Sequence, residues 1–228
     1  MPQKEFLVEY TIENKGRYAS STSGWTNIIL NGNSIFEKKD KTEEVRGFHG
    51  TPFFSLAWFI NLLPEHLSSK TSPQGNYISG IDVYNQYKLS FAVPRNIPHF
   101  PNPNPKIERE AKFGKSRVKL TDFVDPFDLW MDIHLMPRSV PYAPEICIQR
   151  WPHAKDYVEI SWDFSSKKYK KPKGRVLVTA EEYQNEIIHS SRIGLAQLKK
   201  LNDFRIEELE KTLQKYSLLK NRGNMRET

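Results

Sequence analysis

Four residues in the middle of the chain have the chemistry a hydrolytic site needs: Asp132, His134, Glu145 and Glu159. Carboxylates and an imidazole can hold a metal ion, or divide general-acid and general-base roles between them. Their spacing argues against a local site. Asp132 and His134 stand two apart in a segment that reads as a helix, which puts them on different faces. Glu186 and His189 have the i,i+3 spacing of carboxylate-bridged metal sites, but such sites need a second pair and more carboxylates. A nuclease of the restriction type places an acidic residue on one strand and Glu-x-Lys on the next. Here Glu145 is followed by Glu159-Ile160-Ser161, with serine in the lysine's place. Gly114-Lys115-Ser116 matches the end of a phosphate-binding loop, yet Arg109 stands where the motif requires its first glycine. Cys147 is the sole cysteine and has no histidine near it in sequence, so a structural role fits it better than a nucleophilic one. The expectation is therefore no cofactor, no metal and no local catalytic constellation. An enzyme is left only as a metal-dependent hydrolase whose site is assembled from those four distant residues.

Two further stretches have physical reach. Lys167, Lys168, Tyr169, Lys170, Lys171, Lys173 and Arg175 form a basic loop with an interleaved tyrosine. Such a loop neutralises phosphates and stacks a base on its ring, or else it is a solvated loop that keeps a sheet edge from pairing. The net charge of +7 sits at this end of the chain. Positions 1–164 hold nineteen basic and nineteen acidic residues, and positions 165–228 hold fifteen against eight. Ile206, Leu209, Leu213 and Tyr216 follow 3,4,3 spacing, a single apolar stripe on a highly charged helix that offers a docking or self-association surface.

The elements that would position these residues follow from periodicity. Pro144 to Phe164 reads as a central β-hairpin, with Ile146, Ile148, Val158, Ile160, Trp162 and Phe164 on the apolar side. Cys147, Gln149, Glu159 and Ser161 alternate to the other side. Glu5 to Ile12 alternates and predicts a strand. Trp25 to Leu30 predicts a second one that turns at Asn31-Gly32, a type I′ signal, and returns through Ser34 to Glu37. Thr51-Pro52 opens a helix that is apolar on most sides, belongs in the core and stops before Pro64. Tyr77 to Tyr84 and Gln86 to Val93 read as two strands, and Arg117 to Leu120 as a short one. Asp125-Pro126 starts a helix that runs to Met136. Arg175 to Val178 is a strand, and Thr179-Ala180-Glu181-Glu182 has capping-box spacing, with Glu182 placed to reach back to the cap. The helix it opens runs through Leu195 and breaks at Asn202-Asp203 before the apolar stripe.

These elements make an α+β class of mostly antiparallel sheet, with a buried helix in the first half, a central helix-hairpin unit and a long amphipathic helical tail. The boundaries expected are an N-terminal α+β half at 1–93, a proline-rich connection at 94–110, a C-terminal α+β half at 111–200 and the tail at 201–228. The two halves can equally form one domain. With 38% hydrophobic residues the chain is globular rather than disordered. Neither a secretory leader nor a run near the 20 apolar residues of a membrane span is evident, so a cytoplasmic protein without membrane association is expected.

The order of segments from Phe127 to Trp162 resembles uncharacterised bacterial proteins, some linked to phage defence or toxin immunity. The matching residues are Phe127-Asp128-Leu129-Trp130, Ala143-Pro144-Glu145-Ile146 and Val158-Glu159-Ile160-Ser161-Trp162. With a full-sized α+β body and no catalytic constellation, the resemblance points to a non-enzymatic recognition protein, an immunity or phage-defence accessory that acts by binding a protein partner. Contact with nucleic acid through the basic loop is the alternative.

Overall fold

The computed structural model describes residues 6–39, 47–68, 79–90, 106–113, 116–123, 134–136, 145–151, 153–154, 156–164, 168–201 and 203–223. Alternation of apolar and polar residues makes β1 (Phe6–Asn14), which buries Phe6, Val8 and Tyr10. It pairs antiparallel along its length with β2 (Ser23–Leu30), from Phe6↔Leu30 to Thr11↔Trp25 and beyond. The turn after β2 is the expected one: Asn31 and Gly32 both have positive φ, 50° and 74°, as a type I′ turn demands. The returning strand is short, β3 (Asn33–Ser34), and β4 (Phe48–Gly50) pairs with the other end of β2.

The second sheet is the meander β7–β8–β9, built from Glu145–Arg150, Tyr157–Asp163 and Lys173–Thr179. Between the two sheets in sequence lies the hairpin β5–β6, Lys106–Phe113 with Ser116–Phe123, which extends the short strand expected at 117–120. Strand β5 also occupies the last five positions of the stretch expected to be a proline-rich connection. The prolines themselves end at Pro105, where nothing further opposes a ladder.

Helix α1 (Pro52–Asn61) is buried through Phe53, Leu56, Trp58, Phe59 and Ile60. Each such side chain contributes about 1.5–3 kcal/mol through burial. Thr51 has the extended backbone of a cap, but its side chain makes no capping bond. The chain does not stop being helical at Pro64: a short α2 (Leu63–His66) takes that proline in its first turn, where no N–H is needed. Helix α4 (Ala180–Leu198) begins at Thr179, whose hydroxyl accepts the Glu182 N–H at 3.1 Å. Helix α5 (Phe204–Gly223) follows a 3-10 turn at Lys199–Leu201 and packs back on α1 and α4.

One apolar cluster takes residues from both ends of the chain. Phe6 stacks on Tyr183 at 5.4 Å between ring centroids, and Phe36 stacks on Phe164 at 5.6 Å. Gly174 lets the Trp162 ring lie across β9, since a Cβ there would come within 2.2 Å of the ring. The fold class is α+β, as the pattern of elements implied.

One prediction fails outright. The segment read as strands at 77–84 and 86–93 is helical over its described part, α3 (Gly80–Ser90). The β-branched Ile81 and Val83 imitate alternation, but Ser79 is a cap. Its hydroxyl accepts the Asp82 N–H at 3.2 Å and donates to the Asp82 carboxylate at 2.8 Å. Helix α3 lies on β7 and β8 and roofs the sheet face that carries Cys147, Gln149, Glu159 and Ser161. The helix predicted to end at Met136 lies mostly outside the described residues. His134 is its one described helical residue, and the chain is extended from there on: Leu135 bridges to Cys147 and the Met136 N–H bonds to the Ile146 carbonyl at 2.8 Å.

Candidate functional site

The face of the second sheet beneath α3 gathers Cys147, Gln149, Glu159 and Ser161, all buried. Pairing Cys147↔Ser161 and Gln149↔Glu159 makes the four a square on two strands. They face the first turn of α3, whose N–H groups have no partner within the helix. The Glu159 carboxylate accepts the Gly80 N–H at 2.8 Å, and the Ser161 hydroxyl accepts the Ile81 N–H at 3.1 Å. With Ser79 serving Asp82 and, through its carbonyl, Val83, the start of the helix is fully satisfied. Burial raises the Glu159 carboxyl above its ordinary value, while bonds from Gly80, Ser161 and Gln149 act the other way. Burial and the nearby Glu159 charge push the Cys147 thiol well up, which opposes a nucleophilic role. A Cβ on Gly80 would sit 2.4 Å from the Cys147 sulfur. Asp82 pairs with Lys173 at 2.8 Å and Asn85 donates to Asp163 at 2.9 Å, which pins the helix laterally.

A second buried polar group joins three elements. His66 Nδ1 and the Tyr183 hydroxyl share a hydrogen bond of 2.8 Å, and the His66 and His134 rings lie 6.0 Å apart. His134 Nδ1–H donates to the Ile148 carbonyl at 2.8 Å. Burial holds the His134 imidazole neutral, its pKa lowered to about 4. Of the four residues proposed for a dispersed catalytic site, His134 and Glu159 are thus sealed in the core and engaged. Glu145 is half-buried at the start of β7 and Asp132 lies outside the described residues.

Glu182 and Glu186 also have structural partners. Among the described residues no strand lies beside the outer edge of β1; α4 lies there instead. Glu182 Oε1 accepts the Phe6 N–H and Glu186 Oε1 the Val8 N–H, each at 3.1 Å, and Gln197 donates to the Tyr10 carbonyl at 3.0 Å. The match is geometric: two residues along a strand span about 6.8 Å, and four along a helix about 6 Å. Glu182 therefore reaches across to β1 instead of back to the cap. Glu186 is occupied and His189 is exposed, so the pair forms no metal site. Among the described residues no group of three or more His, Cys, Asp or Glu is placed to hold a metal ion.

The basic loop is largely tied down. Lys168 to Lys170 lie antiparallel to Glu37–Lys39, with Lys39 N–H to the Lys168 carbonyl at 2.8 Å and Lys170 N–H to the Glu37 carbonyl at 2.7 Å. The Lys170 ammonium meets the Glu37 carboxylate. Tyr169 is half-buried against Phe164, ring centroids 4.6 Å apart, and is not presented for stacking on a base. Lys173 is paired with Asp82, and the Arg175 guanidinium lies 5.1 Å over the Trp151 ring. Lys168 and Lys171 are exposed; Lys167, Gly114 and Lys115 lie outside the described residues. The stripe on α5 is likewise internal: Ile206, Leu209 and Leu213 are buried in the common core, and Tyr216 packs partly against it. It does not present the docking face expected of it, because α1 and α4 already cover it.

What the sequence did not single out is a junction between the first strand's loop and α5. Asp203 accepts the Ala19 N–H at 2.9 Å and holds Arg205 at 2.6 Å; Arg205 also donates to the Ser20 hydroxyl at 3.1 Å and lies 5.3 Å over the Phe53 ring. These bonds, from Arg205 first, keep the Asp203 carboxyl well below the usual carboxylate range. Three large aromatics flank this knot and stay in solvent: Tyr18 at 51%, Phe54 at 45% and Phe204 at 68% exposure. One signal was available, since Phe53, Leu56, Ala57 and Ile60 mark one face of α1 and leave Phe54 off it.

Comparison with protein-family models, with curated proteins and with solved structures found no match. No helix among the described residues is long and apolar enough to cross a membrane.

Proposed function

We propose that this is a recognition protein that acts by binding another protein, in the manner of a cytoplasmic immunity or phage-defence accessory. The observation that carries the proposal is the exposed aromatic trio Tyr18, Phe54 and Phe204 around a junction fixed by Asp203 and Arg205. Large aromatics and arginine are the residue types enriched at the centre of protein interfaces. Here they sit on a rigid base, so little side-chain and loop entropy is lost on binding. The Arg17 guanidinium, 5.5 Å over the Tyr18 ring, extends the surface. The dispersed hydrolase finds no support in His134 and Glu159, both buried, with His134 Nδ1 on the Ile148 carbonyl and the Glu159 carboxylate held by the Gly80 N–H and the Gln149 amide. The nucleic-acid alternative is weakened by the pairing of Lys170 and Lys173 and by the packing of Tyr169.

The test is site-specific photocrosslinking in the source cell. A crosslinker at Phe204 should capture one protein reproducibly, and the Tyr18→Ser/Phe54→Ser pair should remove that band while leaving the melting curve in place. A crosslinker at exposed Lys171 should not give the same product. If all three preparations give the same products, or if none gives a band, the aromatic junction is not an interface.

A further inference from the structure

Helices α4 and α5 run antiparallel, and their outward seam is a groove of about 530 Å³. That lies within the usual 300–1,000 Å³ of small-molecule sites. Its floor is Leu195 and Leu213, both buried, with Ala196 between two long polar neighbours and too short to close it. Both helices line it at i, i+3, i+4, i+7 spacing, so the two walls stay parallel for about 10 Å. The charges at its two ends differ. Lys199 faces Glu210 across the groove at 3.7 Å. Arg192 at the other end has, among the described residues, a neutral partner: its Nη2 donates to the Ser217 hydroxyl at 2.7 Å. No carboxylate among the described residues lies within ion-pair distance of it. Ser217 in turn donates to the Leu213 carbonyl at 3.1 Å, which fixes the hydroxyl and, through it, the guanidinium. The remaining donors of that planar fork match a carboxylate.

We propose that this groove binds a small amphiphilic anion, with its carboxylate on Arg192 and its alkyl chain over Leu195, Ala196 and Leu213. The site is separate from the aromatic junction and does not depend on it. The experiment is calorimetric titration of the full chain with decanoate, below its micelle concentration, alongside decyltrimethylammonium as a charge control. Wild type should bind decanoate saturably at one site and ignore the cation. Arg192→Gln should weaken decanoate by about tenfold or more, the scale of one lost charge-assisted contact. Ala196→Phe, which fills the groove from an exposed position, should abolish binding with the melting temperature kept. The proposal is overturned by any of three results: no saturable decanoate binding to wild type, equal binding of the cation, or unchanged affinity in both variants.

Discussion

Replacing Glu159 separates the two things its carboxylate does: accept a helix N–H and carry a buried charge. Glu159→Leu leaves the Gly80 N–H with no acceptor beneath α3, and Gln149 loses the carboxylate it faces at 3.4 Å. An orphaned buried donor costs about 1–3 kcal/mol, and the loss of a negative group at a helix start adds about 0.3–1 kcal/mol. Leucine also removes a desolvated carboxylate, which offsets part of this, so a net loss of about 1–3 kcal/mol is expected. Glu159→Gln retains an oxygen for Gly80 and should stay within about 1 kcal/mol of wild type. The two variants differ again in pH response. The folded-state pKa of Glu159 is raised above its ordinary 4.5. The folded protein therefore binds this proton more tightly than the unfolded chain does. The associated stability is complete below pH 4.5 and is lost as pH rises through the folded value. Glutamine cannot titrate, so wild-type stability minus that of Glu159→Gln should decline from pH 4.5 upward and then level off. Urea unfolding across that range gives the difference directly, and hydrogen exchange at Gly80 and Ile81 reports the local loss in Glu159→Leu. If the difference is flat with pH, or if leucine costs no more than glutamine, Glu159 does not hold α3 as argued.

Three other outcomes follow from contacts described above. Gly80→Ala should destabilise by about 1–3 kcal/mol through overpacking, because its Cβ meets the Cys147 sulfur at 2.4 Å; Cys147→Ala should restore part of that loss in denaturant melts. His134, lowered to about 4, contributes stability that is present above the ordinary 6.5 and lost as pH falls toward 4; His134→Leu should flatten that limb of the stability curve, and an unchanged limb would assign it to other groups. A fragment of residues 1–93 expressed alone should show no cooperative unfolding, and mixing it with residues 106–228 should restore a transition; a cooperative melt of 1–93 by itself would refute the shared core.

The local features of the fold were legible where the physics is local. Asn31-Gly32 fixes its turn through positive φ at two adjacent residues, and the alternation of Phe6, Val8 and Tyr10 defines a strand without reference to anything distant. The cap at Thr179 was legible for the same reason. Helix α3 is not legible from periodicity because Ile81 and Val83 alternate over too few residues to decide, and the Ser79–Asp82 cap is what settles the matter. The partner of Glu182 could not be read from its neighbourhood: capping spacing pointed to Thr179, and the carboxylate goes to Phe6 instead. Burial of the α5 stripe was equally invisible, since a 3,4,3 pattern is the same whether the covering surface belongs to the same chain or to another.

Four acidic residues, two of which (Glu159 and Glu186) invite a catalytic or metal reading from sequence, share one fate. Glu159, Glu182, Glu186 and Asp203, all from the second half, accept backbone N–H groups of Gly80, Phe6, Val8 and Ala19 in the first. These are places where a helix starts, a strand has an edge or a 3-10 turn begins, and each would otherwise leave a donor unsatisfied under the core. A carboxylate suits the task because it accepts several bonds and is itself stabilised by the donors it satisfies. Used in this way, an acidic side chain has strict requirements for position and none for a second acid or histidine beside it. That is why the spacings of metal and acid–base sites fail at Glu159 and Glu186 although the residue types are right. The same bonds run from one end of the chain to the other, so they join the halves polar group to polar group, where the aromatic contacts Phe6–Tyr183 and Phe36–Phe164 join them by area. Chemistry that sequence alone points to at Glu159 and Glu186 is, in this protein, a means by which a helix start and a strand edge are held against the elements they pack on.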